Sequence, residues 1–168
     1  MIRPETEADW PGVDQVVATA FGQGLEVLIV QRMRSLPEYI PSLALLAEDA
    51  SEIVGQVLLS RMYLEQPGPS VVGLGPISVL PERQRQGVGT ALMGAAIAGA
   101  REMGFDGIAL LGHPTYYPRF GFVPASRFGL RFTYDVPDDV AMALELRPGA
   151  LDGVGGLLRY SSAFDEEG

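Results

Sequence analysis

The chain has 168 residues, enough for one ordinary domain, and 47% hydrophobic against 20% charged residues is the balance of a folding chain, not a disordered one. It has no cysteine and one histidine, and all 12 basic residues are arginine, which excludes disulfides, thiol nucleophiles, multi-histidine metal centres, Schiff bases and lysine-dependent phosphate loops. A net charge of −9 argues against nucleic-acid binding; with neither a leader-like apolar segment nor an apolar run of ~20 residues, no membrane association is expected and the cytoplasm is the default location.

Met1–Arg3 reads as a short strand. Asp9 before Trp10-Pro11 caps a first helix, in which Val13, Val16, Val17 and Ala20 recur at helical spacing up to Phe21-Gly22. A second helix is expected over Leu25–Ser35, stopped by Pro37 and Pro41. Ser42–Glu48 and Ile53–Leu64 are apolar, strand-length runs around a polar break, which predicts an antiparallel hairpin. Ser70–Leu80 is a further strand, yet it contains Gly73, Gly75 and Pro76. Proline belongs at an edge or bulge, so the ladder should open near Gly75-Pro76.

Gly87–Met103 reads as a helix stopped by Gly104, its alanines and glycines small enough to lie close on a sheet. The strand Phe105–Leu111 then pairs parallel with the preceding one, because a helix connects them. Thr115–Phe120 has room only for a short helix, and Phe122-Val123 and Val140–Arg147 read as strands. Gly155–Phe164 fits strand or ordered coil, and Asp165–Gly168 is expected to fray.

The segment Ile77–Leu92 is a strand, a glycine-containing loop and a helix start. Free N–H groups at a helix N-terminus make an anion site, and Gly87 and Gly89 remove side chains where a phosphate would approach the backbone. Arg83 and Arg85 add local positive charge, and Thr90 adds a hydroxyl. A dinucleotide fingerprint would need a small residue at Leu92, and a Walker loop would need lysine.

Gln84-Arg85-Gln86-Gly87-Val88-Gly89 after a strand resembles the Q/R-x-x-G-x-G/A signature of the GNAT acetyltransferase superfamily. Tyr117-Pro-Arg-Phe-Gly121-Phe122 resembles the Y-x-x-x-G-F of the same family, and the order of elements is similar over most of residues 1–147. The tail and the run Gly112–Phe122 are similar to a bacterial branch of predicted N-acetyltransferases. The resemblance implies an α/β (α+β) fold: a mixed, mostly antiparallel sheet with a parallel, splayed central strand pair and flanking helices. It also implies a single acyltransferase domain over residues 1–168, with a core of 1–147 and a C-terminal extension of 148–168.

The implied activity is transfer of acetyl from acetyl-CoA to an amine, of a small molecule or a peptide, with no metal. By that resemblance the pantetheine arm pairs with the main chain of Ile77, Ser78 and Val79, and the pyrophosphate lies on Arg85, Gln86, Gly87, Val88, Gly89 and Thr90. Cofactor contacts extend to Tyr117 and Arg119, and the Ile77 N–H would stabilise the oxyanion. Tyr117 is the candidate proton donor to the departing thiolate, since a phenol is protonated at neutral pH. Tyr116 is expected in the core or the acceptor pocket.

His113, at a strand end and of a residue type that titrates near neutrality, is the candidate base, with Glu48 and Glu65 as water-mediated alternatives. Phe21–Pro41 and Arg127–Asp139 are the segments expected to shape the acceptor pocket. A non-catalytic module that senses acyl-CoA through a partner is the second functional reading. A homodimer is compatible with either.

Overall fold

The computed structural model describes residues 1–22 and 24–165. In chain order its elements are β1 (Ile2–Pro4), α1 (Trp10–Phe21), α2 (Leu25–Met33), β2 (Tyr39–Asp49), β3 (Glu52–Arg61), β4 (Tyr63–Leu64), β5 (Val71–Val79), α3 (Val88–Glu102), β6 (Gly107–Leu111), β7 (Val123–Pro124), β8 (Leu130–Phe132), β9 (Ala141–Glu145) and β10 (Gly156–Arg159). A seven-stranded sheet runs in the order β1-β2-β3-β5-β6-β9-β7, and a three-stranded sheet in the order β4-β10-β8.

The run SLALLA does not alternate because β2 is covered on both faces. Leu43, Leu45 and Ala47 pack in one cluster with Leu92, Met93, Ala96 and Ala100 of α3. Ala44 and Leu46 face the other way, onto Val13 and Val17 of α1 and Val30 and Met33 of α2. A third cluster joins Leu130, Phe132, Leu151, Leu158 and Tyr160, so the tail is packed core. No described helix is long and apolar enough to cross a membrane.

The expected opening in the sheet is present. β5 pairs parallel with β6 only at Val71–Gly107, Val72–Ile108 and Gly73–Ala109. Against β3, Leu59 opposes Leu74 but Val57 opposes Ile77, so β5 carries one extra residue at Gly75-Pro76. That bulge bends β5 away from β6 and leaves its later residues without a partner on that side. Behind it, the buried Gln56 Nε2 donates to Pro76 O at 3.2 Å and to Ser78 Oγ at 2.7 Å.

Other expectations need correction. Helix α2 ends at Met33, before Ser35, and Pro41 lies inside β2, in the register slip between Tyr39 and Ala44 where no regular ladder bond is required of it. Met62 separates β3 from β4, which joins the smaller sheet. Asp165 is held, its carbonyl accepting from Arg32 Nη1 at 2.9 Å; residues 166–168 of the expected frayed end lie outside the described residues.

Gln56→Leu should leave the Pro76 carbonyl and the Ser78 hydroxyl buried without a donor, at about 1–3 kcal/mol. Denaturant unfolding is expected to show that loss, with a melting temperature lower by several degrees. Unchanged stability would show that the clamp is not required by the bulge.

Candidate active site

The direction of the β5 main chain follows from the antiparallel alternation. Leu80 N–H donates to Val54 O at 2.9 Å, and Ser78 and Val79 oppose Gln56 and Gly55. Ser78 and Leu80 therefore turn their peptide groups towards β3, and Ile77 and Val79 turn theirs into the gap. Ser78, expected with Ile77 and Val79 along the open edge, is corrected: its main chain belongs to the β3 ladder and its hydroxyl to Gln56. The Val79 carbonyl accepts from Gln84 Nε2 at 3.2 Å. The Ile77 N–H and C=O and the Val79 N–H are left facing the gap.

The loop after β5 curls because Arg85 (φ +64°) and Gly87 (φ +88°) both adopt left-handed conformations around Gln86. Successive amides in such a turn converge on one concavity suited to an anion, and the first turn of α3 adds three unsatisfied N–H groups. Among the described residues, no protein acceptor takes a hydrogen bond from the N–H of Arg85, Gln86, Gly87, Val88, Gly89 or Thr90. Nothing lies within 4 Å of where a Cβ on Gly87 would be, so the face is open. These residues fit a diphosphate.

Arg83, read from the sequence as local charge for this loop, is committed elsewhere. Its guanidinium lies 2.6 Å from Asp49 and 3.5 Å from Glu52, tying the loop to the β2–β3 turn and holding the Asp49 carboxyl below its usual range. Tyr116 also differs from expectation. Its hydroxyl lies 3.3 Å from the position of a Gly89 Cβ, so it walls the loop and not the acceptor side. Arg119 stacks its guanidinium 4.5 Å from the Tyr116 ring centre and donates from Nε to Tyr116 O at 2.9 Å, which brings this exposed cation to the same wall.

A cavity of about 870 Å³ continues from the gap. Its lining includes Leu74–Ile77, Leu111–Pro114 and Tyr117. Glu26 and its neighbours in α1 and α2 also line it, as do Tyr134, Tyr160 and Phe164. Tyr117 packs edge-on against Phe122 and closes over Gly112, where a Cβ would fall 2.3 Å from its ring. Burial, with a smaller push from Tyr116, raises the Tyr117 phenol above its usual pKa. His113 is exposed at the cavity mouth. Glu48 and Glu65 are absent from its walls, and Glu48 is bound to Arg3 at 3.4 Å.

Sequence reasoning missed two contributors. Glu26, in the first turn of α2, lines the cavity; a lone acid at a helix start normally reads as a dipole partner. Tyr160, 7% exposed, lies against Gly73 at the fork of β5 and β6, its ring 2.6 Å from where a Cβ would be. Burial carries its phenol well above the ordinary value, with Tyr134 adding and the Leu111 main chain opposing. A glycine 87 positions upstream carries no readable signal for such a contact.

A family model described as an acetyltransferase (GNAT) domain matches residues 1–125. The uncharacterized N-acetyltransferase YhbS of Escherichia coli K12 is 28% identical over 166 residues, covering 98% of both chains. The uncharacterized N-acetyltransferase YjhQ of that strain is 33% identical over 155 residues, covering 88% of this chain and 86% of YjhQ. The crystal structure of E. coli YhbS in complex with CoA matches with a TM-score of 0.93 at 28% identity, covering 100% of this chain and 93% of that one. A GNAT family acetyltransferase from Brucella melitensis in complex with acetyl-CoA matches with a TM-score of 0.80 at 30% identity, covering 98% and 97%. With a splayed strand pair, an open amide loop and relatives matched along nearly the whole length, the chain belongs to the GNAT family of acetyltransferases.

Proposed function

We propose that this protein is an acetyl-CoA-dependent N-acetyltransferase that passes acetyl directly from the thioester to an amine. The observation that carries this reading is the continuity of three features: the unbonded Arg85–Thr90 amides, the outward main chain of Ile77 and Val79, and Tyr117 on the wall of the adjoining cavity. The complexes of YhbS with CoA and of the Brucella protein with acetyl-CoA support the donor.

The loop amides bind the diphosphate, with Arg119 as an added cation, and the Ile77 and Val79 main chain continues the sheet onto the pantetheine amides. Acetyl-CoA supplies an acyl group activated as a thioester. The amine gives up a proton, with His113 as the acceptor at the cavity mouth, and its lone pair attacks the carbonyl carbon. A C–N bond forms, the C–S bond breaks, and the Ile77 N–H stabilises the oxyanion between these events. Tyr117 gives its proton to the departing thiolate and recovers one from the acylated nitrogen, which sheds its second proton, so one acetyl-CoA and one ammonium become one amide, one thiol and one proton. Both substrates in one cavity supply much of the acceleration through proximity.

Gly89→Gln puts a side chain against Tyr116 and over the loop amides, so acetyl-CoA affinity should fall at least tenfold with the fold retained; unchanged affinity in calorimetry would refute the loop assignment. Tyr117→Phe should lower kcat by more than tenfold, about 1.4 kcal/mol per decade, at similar acetyl-CoA affinity. Because its phenol is raised above pKa 10, the acid form survives past pH 10, so the wild-type alkaline loss of kcat sets in above that point and is missing from the variant. Gly112→Ala should displace the Tyr117 ring and cut kcat in the same direction; wild-type turnover by either variant removes Tyr117 from proton donation.

A further inference from the structure

The donor reading uses Ile77, His113 and Tyr117 of the cavity lining and leaves its other aromatic residues without a role. Tyr160 stacks on Phe164 at 4.3 Å between ring centres, Tyr134 follows at 6.1 Å, and Phe21 lies on the same cavity. The chain carries 21 acidic residues, yet among the described residues Glu26 is the one carboxylate on the cavity walls, and no arginine lines them. The cations at the end of α2 are engaged elsewhere. Arg32 is bound to the Asp165 carbonyl at 2.9 Å, and Arg34 pairs with Glu5 at 3.4 Å and Asp14 at 2.8 Å.

An alkylamine enters as an ammonium. In an apolar cavity that charge needs a counter-charge, and aromatic faces add attraction for it. One carboxylate compensates one cation. A second ammonium on the same ligand would be desolvated without a partner, which disfavours its binding. A polyhydroxylated skeleton would likewise lose its water against apolar walls that offer few acceptors.

Resting on the acetyltransferase reading above, we infer that the acceptor is a small monoamine with an aromatic or alkyl body, its ammonium bound by Glu26 and its body by Tyr134 and Tyr160. Polyamines and aminoglycosides are disfavoured by the same walls, and so are peptide N-termini, whose flanking amides would lose their water there. Glu26 and Tyr134 thus determine specificity, and neither is required for holding the donor.

The test uses 2-phenylethylamine and hexylamine against spermidine, kanamycin and a tripeptide, with two readouts. One is acetyl transfer; the other is calorimetric binding of each amine to the protein saturated with CoA. The monoamines are expected to show kcat/KM at least tenfold above the other acceptors. Glu26→Gln should raise their KM tenfold or more and weaken their binding to the CoA-saturated protein, with acetyl-CoA affinity unchanged. Tyr134 is 40% exposed, so Tyr134→Ala tests the aromatic wall without a core defect and should raise the KM for 2-phenylethylamine selectively. Preference for spermidine, kanamycin or the peptide, or an unaltered KM in Glu26→Gln, overturns the inference while leaving acetyl transfer intact. Glu26-dependent binding of the monoamines with no transfer to any acceptor would do the reverse, sustaining the acceptor class and overturning the enzymatic reading.

Discussion

The site depends on a sheet that stops pairing part-way along. After Gly73 and Ala109 the parallel ladder between β5 and β6 ends, although both strands continue. Unpaired main chain in a sheet interior is normally costly, because each N–H and C=O has given up water. Here the cost is reduced on the β3 side of β5. The bulge turns Ser78 to β3, and the buried amide of Gln56 satisfies the displaced Pro76 carbonyl. What remains exposed, at Ile77 and Val79, has the spacing of a strand awaiting a neighbour, the place that the proposed function gives to pantetheine.

The electrostatics follow the same economy. An acidic chain would repel a diphosphate if net charge governed binding, but on the proposed reading the loop would work at short range through oriented amides, where the local field dominates over distant screened charges. Arg83 contributes by fixing the loop to Asp49 and Glu52, and so shapes the concavity without filling it. Arg119, laid on Tyr116, is the cation left exposed on that wall.

Much of this is readable in the sequence. Gly75-Pro76 within an apolar strand announces a break, and Gly87 and Gly89 before a small-residue helix announce an open run of amides, because both signals are local. The parity of Ser78 was not readable: one bulged residue reverses which peptides face outward, and a sequence shows that a bulge exists but not its register. Arg83 and Tyr116 were misjudged for a related reason, since their partners lie 34 positions upstream at Asp49 and 27 positions upstream at Gly89. The small sheet of β4, β8 and β10 uses strands of two to four residues, too short to establish a period.

The parts of the cavity differ in how the chain supplies them. The residues proposed to hold the donor come from one stretch, β5 to the turn at Tyr117. The aromatic side is gathered from the end of α1, the start of α2 and a tail more than a hundred residues later, and it is completed when Tyr160 settles against Gly73. On the proposed reading, loosening that tail would dismantle the chamber for the amine and leave the Arg85–Thr90 loop in place, so such a molecule would stay charged with its thioester and lack anything to discharge it onto.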